Sequence, residues 1–193
     1  MRAANHLSEV LLTPAEAETI DAHGRTEAAV LVPIYGHPER PGLVLTERRA
    51  DLRRHPGEIS FPGGRRDHPG EPLETTALRE AEEEIGLEPD RVDVVGALPP
   101  VGTFVTSYKV HPFVGLIGAD LDLDPNPDEV AAVLAIELDR LRAGFAMRRL
   151  VRRGVPLRTP TYTVDHHLIW GATARILSEL LRRLDGPAST ESR

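Results

Sequence analysis

The order of apolar patterns along the chain predicts an α/β fold. Strand-like runs rich in β-branched residues recur at 26–34, 43–48, 109–117 and 129–136. Between them Leu73, Ala77, Leu78, Ala81 and Ile85 repeat at helical spacing and fall within one apolar arc. A second helical stripe, Ala172, Ile176, Leu180 and Leu184, closes the chain.

Residues 1–23 read as a partly helical extension. Thr13-Pro14-Ala15-Glu16 carries the signature of a helix start: a hydroxyl cap, Pro at the first helical position and Glu at the third. The main domain is expected over 24–184. Its first two strands, 26–34 and 43–48, flank a loop of turn residues and are expected to pair as a hairpin. Residues 91–98 alternate and read as a strand. The loop 99–107 mixes turn and apolar residues, which suits a segment that covers a substrate. His111, in the strand after it, is expected to make a structural hydrogen bond. A short helix is expected over 137–144. Arg148 to Arg153 forms one arm of a hairpin with 159–164, a charged surface that resists edge pairing. His166 to Ala174 is expected to open the last helix, its two histidines structural or lining a substrate. Residues 185–193 are polar and read as a disordered tail.

Composition narrows the function. The chain has 193 residues, 40% hydrophobic and 27% charged, with no cysteine and a net charge of -7. Disulfides, thiol nucleophiles and cysteine metal sites are therefore excluded. No apolar run reaches the roughly 18–20 residues that span a bilayer, and the first residues lack an apolar signal core. A cytoplasmic protein without membrane contact is expected. The negative charge argues against general nucleic-acid binding. An anionic small-molecule substrate must then be drawn in by local basic groups or metal. A homodimer is left open.

The carboxylates of the first helix are the chemical signal. Glu80, Glu83 and Glu84 stand at i, i+3 and i+4, along the edge of the buried face, while Glu82 points into solvent. Like charges at this spacing cost a helix a few tenths of a kcal/mol each, roughly. A divalent cation offsets that repulsion, and hard ions such as Mg²⁺ and Mn²⁺ take oxygen ligands of this kind together with substrate phosphates. Gly63-Gly64 just before the helix lets backbone approach a ligand closely, and Gly86 ends it.

These residues carry a family resemblance. Glu71, Arg79, Glu80, Ala81, Glu83, Glu84, Gly86 and Leu87 match the spacing of the Nudix box. Six residues rather than the usual five separate Gly64 from Glu71, a longer turn that is usual in the coenzyme A pyrophosphatase branch. The preceding segment resembles that branch too, at Leu45, Thr46, Arg48, Leu52, Arg53, His55, Gly57, Phe61, Pro62, Gly63, Gly64 and Asp67. It departs at Arg49, where the branch usually has Ser. The Ile169-Trp170-Gly171 segment resembles the branch's C-terminal helix.

The resemblance implies an α/β/α sandwich with a mixed central sheet and the box as a loop-helix-loop. It implies Mg²⁺- or Mn²⁺-dependent hydrolysis of the pyrophosphate bond of coenzyme A or a derivative. The implied metal ligands are Glu80, Glu83, Glu84 and the carbonyl of Gly64. Glu80 or Glu129 is the implied base, and Arg79 orients the glutamates. Glu71 is structural. Arg48, Arg53, His55, Phe61 and Thr103 are the expected substrate contacts. ADP-ribose, NADH or another dinucleotide is the alternative substrate. A non-catalytic regulatory domain is the alternative of another class, in which box glutamates tend to be lost; none is lost here.

Overall fold

The computed structural model describes residues 7–36, 40–52, 56–103, 106–152 and 155–186. Arg53 and His55 lie outside the described residues, as do the first six residues and 187–193 of the expected tail.

A parallel pair forms the spine. Strand β1 (Thr26–Tyr35) runs beside β7 (Tyr108–Leu116), in register from Thr26↔Tyr108 to Ile34↔Leu116. β5 (Asp93–Ala97) and β6 (Val101–Gly102) pair antiparallel with β7. β2 (Gly42–Arg48) meets β1 only at Ile34↔Leu43 and Tyr35↔Gly42. The expected hairpin is therefore real but two rungs long. On its other edge β2 pairs with β8 (Val130–Glu137) along its whole length.

The diverging strands leave a fork, and residues 59–65 fill it. β3 (Ile59–Ser60) pairs with β2, and β4 (Gly63–Arg65) pairs with β1. The Leu31 N–H donates to the Pro62 carbonyl at 3.0 Å, which keeps the crossing segment tied to β1. This placement sets Gly64 opposite Ala29, whose face of the sheet packs on a helix.

Helix α1 (Pro14–Thr19) is capped as expected by a reciprocal bond pair between Thr13 and Glu16. Helix α2 (Leu73–Ile85) covers one face of the sheet. Leu73, Ala77, Ala81 and Ile85 pack against Ala29, Leu31, Val44 and Phe113. Each fully buried large aliphatic side chain contributes about 2 kcal/mol. That burial holds α2, because its N-terminal residue Pro72 supplies no side-chain cap. Gly86 closes the helix at φ 65, a left-handed conformation that costs glycine little.

The opposite face packs on α4 (Gly171–Leu184) through Ile176, Leu177, Leu180 and Leu181, against Val32, Leu43, Leu45 and Val114. The result is an α/β/α sandwich with a mixed sheet. A short helix, α3 (Leu138–Ala143), leads into a separate three-stranded sheet ordered β11-β10-β9. Its strands are β9 (Phe145–Arg152), β10 (Val155–Val164) and β11 (His167–Ile169). The last strand corrects the expectation that His166 opens the final helix. Asp165 takes a left-handed turn at φ 53, and 167–169 folds back on 162–164. The helix starts at Gly171.

Residues before β1 are woven into both faces. Leu7 and Leu11 are buried with α4, Ala17 is buried with α2, and Leu12 exchanges backbone bonds with Ala97. Among the described residues no helix is long and apolar enough to cross a membrane.

Candidate active site

The site is built where the fork meets α2. A Cβ on Gly64 would run into the Glu80 carboxylate, so only glycine lets β4 and this side chain come together. One residue earlier, the Gly63 N–H donates to Glu84 Oε2 at 3.3 Å. The glycine turn thus touches two of the three expected ligands.

Arg79 organises the carboxylates. Its Nε donates to Glu71 Oε1 at 2.8 Å, and its Nη1 reaches both Glu80 Oε1 and Glu83 Oε2 at 3.1 Å. Its Nη2 donates to the Arg65 carbonyl at 3.0 Å. Glu71 is buried, and its other oxygen accepts the Asp67 N–H at 2.7 Å. The Arg79 guanidinium holds the Glu71 carboxyl down to about 2, against the upward push of burial. Asp67 is a site residue to which sequence reasoning gave no role. Its carboxylate stands 3.5 Å from Arg79 Nε; the spacing of the box carries no signal for it, because the contact depends on how the long turn folds.

The three glutamates sit in different surroundings. Glu83 is 57% exposed, whereas Glu84 is a buried carboxylate at 8%. Burial first, and then the charge of Glu80, pushes the Glu84 carboxyl up to about 8. Burial also raises Glu80, with Arg79 opposing. Two carboxylates held above their ordinary range beside one another are an electrostatically incomplete arrangement that a cation completes. Among the described residues no three acidic or histidine side chains close around a common point; Arg79 stands between Glu80 and Glu83. The donor chemistry is nonetheless all oxygen, and the missing Cβ at Gly64 lets the Glu80 carboxylate lie directly against the β4 backbone. These residues fit a hard divalent cation.

Other expected contacts divide. Arg48 Nη1 pairs with Glu129 Oε2 at 3.3 Å, and both charges act on Glu84. The upstream arginine segment and the turn before β8 therefore border the glutamates. Arg49 binds Asp51 and donates to the Pro127 carbonyl at 2.6 Å, tying that same turn to β2. Thr103 spends its hydroxyl within its own loop, on Thr106 Oγ1 at 2.7 Å and the Tyr108 N–H at 2.8 Å. Phe61 is corrected: it is 2% exposed and packs in the α4-side core, so it offers no surface to a substrate. The alternation that follows Ser60 turns it inward.

His111 is corrected as well. Both ring nitrogens are buried and without a hydrogen-bond partner among the described residues. Its nearest carboxylate is Glu27, 3.8 Å from Nε2. The register sets His111 beside Ala29, and among the described residues no acceptor lies within hydrogen-bond distance of its ring.

Comparison with known proteins agrees with this architecture. The family model described as NUDIX domain matches residues 25–154. A Cronobacter sakazakii protein named Uncharacterized Nudix hydrolase NudL is 46% identical over 156 residues, 80% of each chain. A protein of the same name from Klebsiella pneumoniae is 44% identical over 161 residues, 82% of this chain and 83% of its own. In three dimensions the fold resembles a Nudix hydrolase from M. smegmatis, RenU, with a TM-score of 0.58 at 20% identity over 88% of this chain and 91% of that one. It also resembles the NUDIX domain of Shewanella oneidensis NrtR complexed with ADP ribose, at 0.56 and 15% over 83% and 88%. With the box intact and its glutamates gathered at the fork, the chain belongs to the Nudix hydrolase family.

Proposed function

We propose that this protein hydrolyses the pyrophosphate bond of coenzyme A or its derivatives, releasing phosphopantetheine and adenosine 3′,5′-bisphosphate. The observation that carries this reading is the junction of two segments. Arg48, from the arginine-rich stretch that resembles the coenzyme A branch, pairs with Glu129 beside the buried Glu84 of the box. The stretch that resembles the branch most specifically thus borders the chemistry.

Glu80, Glu83, Glu84 and the Gly64 carbonyl would hold Mg²⁺ or Mn²⁺. When bound, the ion neutralises the diphosphate and lowers the pKa of a coordinated water. The chain's own groups do the rest. Arg79 fixes the rotamers of Glu80 and Glu83 by charge-assisted bonds. Glu80 or Glu129 takes the proton of the attacking water. Once substrate enters, Arg48 can share its guanidinium between Glu129 and a phosphate oxygen.

The test is a product assay with coenzyme A, acyl derivatives, NADH and ADP-ribose, each with Mg²⁺ and with Mn²⁺. The expected result is turnover of coenzyme A to the two products named. Turnover of ADP-ribose or NADH with coenzyme A untouched would overturn the substrate assignment. ADP-ribose belongs in that panel because the NrtR domain of similar fold carries it. Metal-independent turnover, or none with any substrate, would overturn the catalytic assignment.

A further inference from the structure

Strand β9 is an edge. Among the described residues it pairs with β10 alone, in register from Phe145↔Tyr162 to Arg152↔Val155. It carries two of the three exposed large hydrophobic side chains described, Phe145 at 48% and Met147 at 44%. Strand alternation puts both on one face, with Arg149 next along it. Arg149 sits directly across from Arg158, and neither makes an ion pair or hydrogen bond among the described residues. Like charges directly opposite destabilise a strand pair. An open edge with exposed apolar side chains is a template for pairing with another strand, and the arginines beside them limit which strands can pair.

The sequence of this edge complements itself. In a two-fold antiparallel pair, one residue faces its own copy and the others pair symmetrically about it. Centring on Met147 pairs five residues of β9: Met147 with Met147, Phe145 with Arg149, and Ala146 with Arg148. Each Arg149 guanidinium then meets the Phe145 ring of the other copy, a cation–π contact. That ring is already braced on Tyr162, with centroids 5.5 Å apart. Other centres do worse. Arg148 or Arg149 at the centre sets an arginine against itself, and Leu150 sets Arg148 against Arg152. Phe145, Ala146, Val151 or Arg152 at the centre pairs three residues of the strand or fewer. The arginines that oppose random edge pairing thus select one register.

We propose that β9 is a dimerisation edge, occupied by β9 of a second copy in the register centred on Met147, so that two three-stranded sheets join into one of six strands. The interface is small and the dimer correspondingly weak.

The absence of cysteine from the chain makes the register directly testable. Directly opposed residues have Cβ atoms about 4.5–5.5 Å apart, within reach of a disulfide after small adjustment. Met147→Cys is expected to cross-link as a homodimer under mild oxidation. Arg149→Cys is not, because its own copy lies four residues away, about 13 Å along the strand. Mixing Phe145→Cys with Arg149→Cys is expected to give the heterodimer. Sedimentation equilibrium at up to about 200 µM is expected to show the unmodified chain dimerising, and Met147→Lys to be monomeric with an unchanged melting temperature. A chain that stays monomeric at that concentration overturns the proposal. So does a dimer that survives Met147→Lys, or cross-linking of Arg149→Cys as readily as Met147→Cys.

Discussion

Arg79 binds Glu71 on one side and Glu80 and Glu83 on the other, with Nε to Glu71 Oε1 at 2.8 Å and Nη1 to both of the others at 3.1 Å. One guanidinium therefore anchors the long turn to the helix and spaces two candidate ligands. Lysine has the charge but not the planar fork, so it can satisfy one side at a time. Arg79→Lys is expected to lower kcat/KM by about 10- to 100-fold, the range for a residue that orients ligands, and to weaken Mn²⁺ binding in titration. Equal activity in the two proteins would show that Arg79 does not set the carboxylates.

Glu71 is expected to contribute to stability rather than chemistry. Its carboxyl, lowered from 4.5 to about 2 by Arg79, is ionised in the fold at pH values where the unfolded chain begins to protonate. The stabilisation is therefore complete above about pH 4.5 and fades as pH falls toward 2. Glu71→Gln is expected to cost about 1–3 kcal/mol in urea unfolding at pH 7, and less at pH 3. A loss that does not shrink on acidification would contradict the assignment.

Among the glutamates the expected damage follows ligand position and not burial, since Glu83 is as exposed a position as Glu82. Glu84→Gln and Glu83→Gln should each reduce hydrolysis by more than the ~100-fold ceiling of an outer-shell change, while Glu82→Gln, on the exposed side, should match the parent. The readout is kcat/KM at saturating metal, with folding verified by circular dichroism. An inactive Glu82→Gln would mean that the helix presents a different face.

Much of this was legible from the sequence because it is local. The stripe of α2, the Gly86 stop and the Thr13–Glu16 box depend on residues within four positions of one another, and spacing alone encodes them. What sequence reading misplaced depends on distant partners. The first hairpin shrinks to two rungs because the 59–65 segment takes the inner edges of both strands, β3 on β2 and β4 on β1. Phe61 looked like a substrate contact because it lies within the motif, yet the fork turns it into the core. Arg49 looked like a departure near the substrate. Its guanidinium is committed to Asp51 and to a carbonyl 78 residues away, a contact that no local pattern announces. His167 went to a strand because a turn at Asp165, not helical propensity, directs the chain there.

Gly64 offers a test of close approach that is separate from charge. Any side chain there meets the Glu80 carboxylate. Gly64→Ala is expected to leave the melting temperature within a few degrees, since Glu80 can swing toward solvent, and to cut kcat by at least tenfold through the misplaced carboxylate. A variant with full kcat would show that Glu80 need not lie against β4.

His111 provides the clearest pH signature outside the glutamates. Burial, and then the charge of Lys109, push its ring down to about 4 from 6.5, with Glu27 opposing and Arg66 adding to the depression. A histidine that resists protonation in the fold binds fewer protons than the unfolded chain between those values. Stability must then fall as pH drops from 6.5 toward 4, by about 3 kcal/mol at most for a shift of this size. His111→Leu removes both unpartnered nitrogens. It is expected to unfold within about 1 kcal/mol of the parent at pH 7.5 and to be the more stable protein at pH 4.5. Glu71 and Glu84 titrate in both proteins, so the difference between the two stability curves isolates the ring. Parallel curves across this window would mean that His111 is solvated or hydrogen-bonded in solution, and that its burial costs nothing.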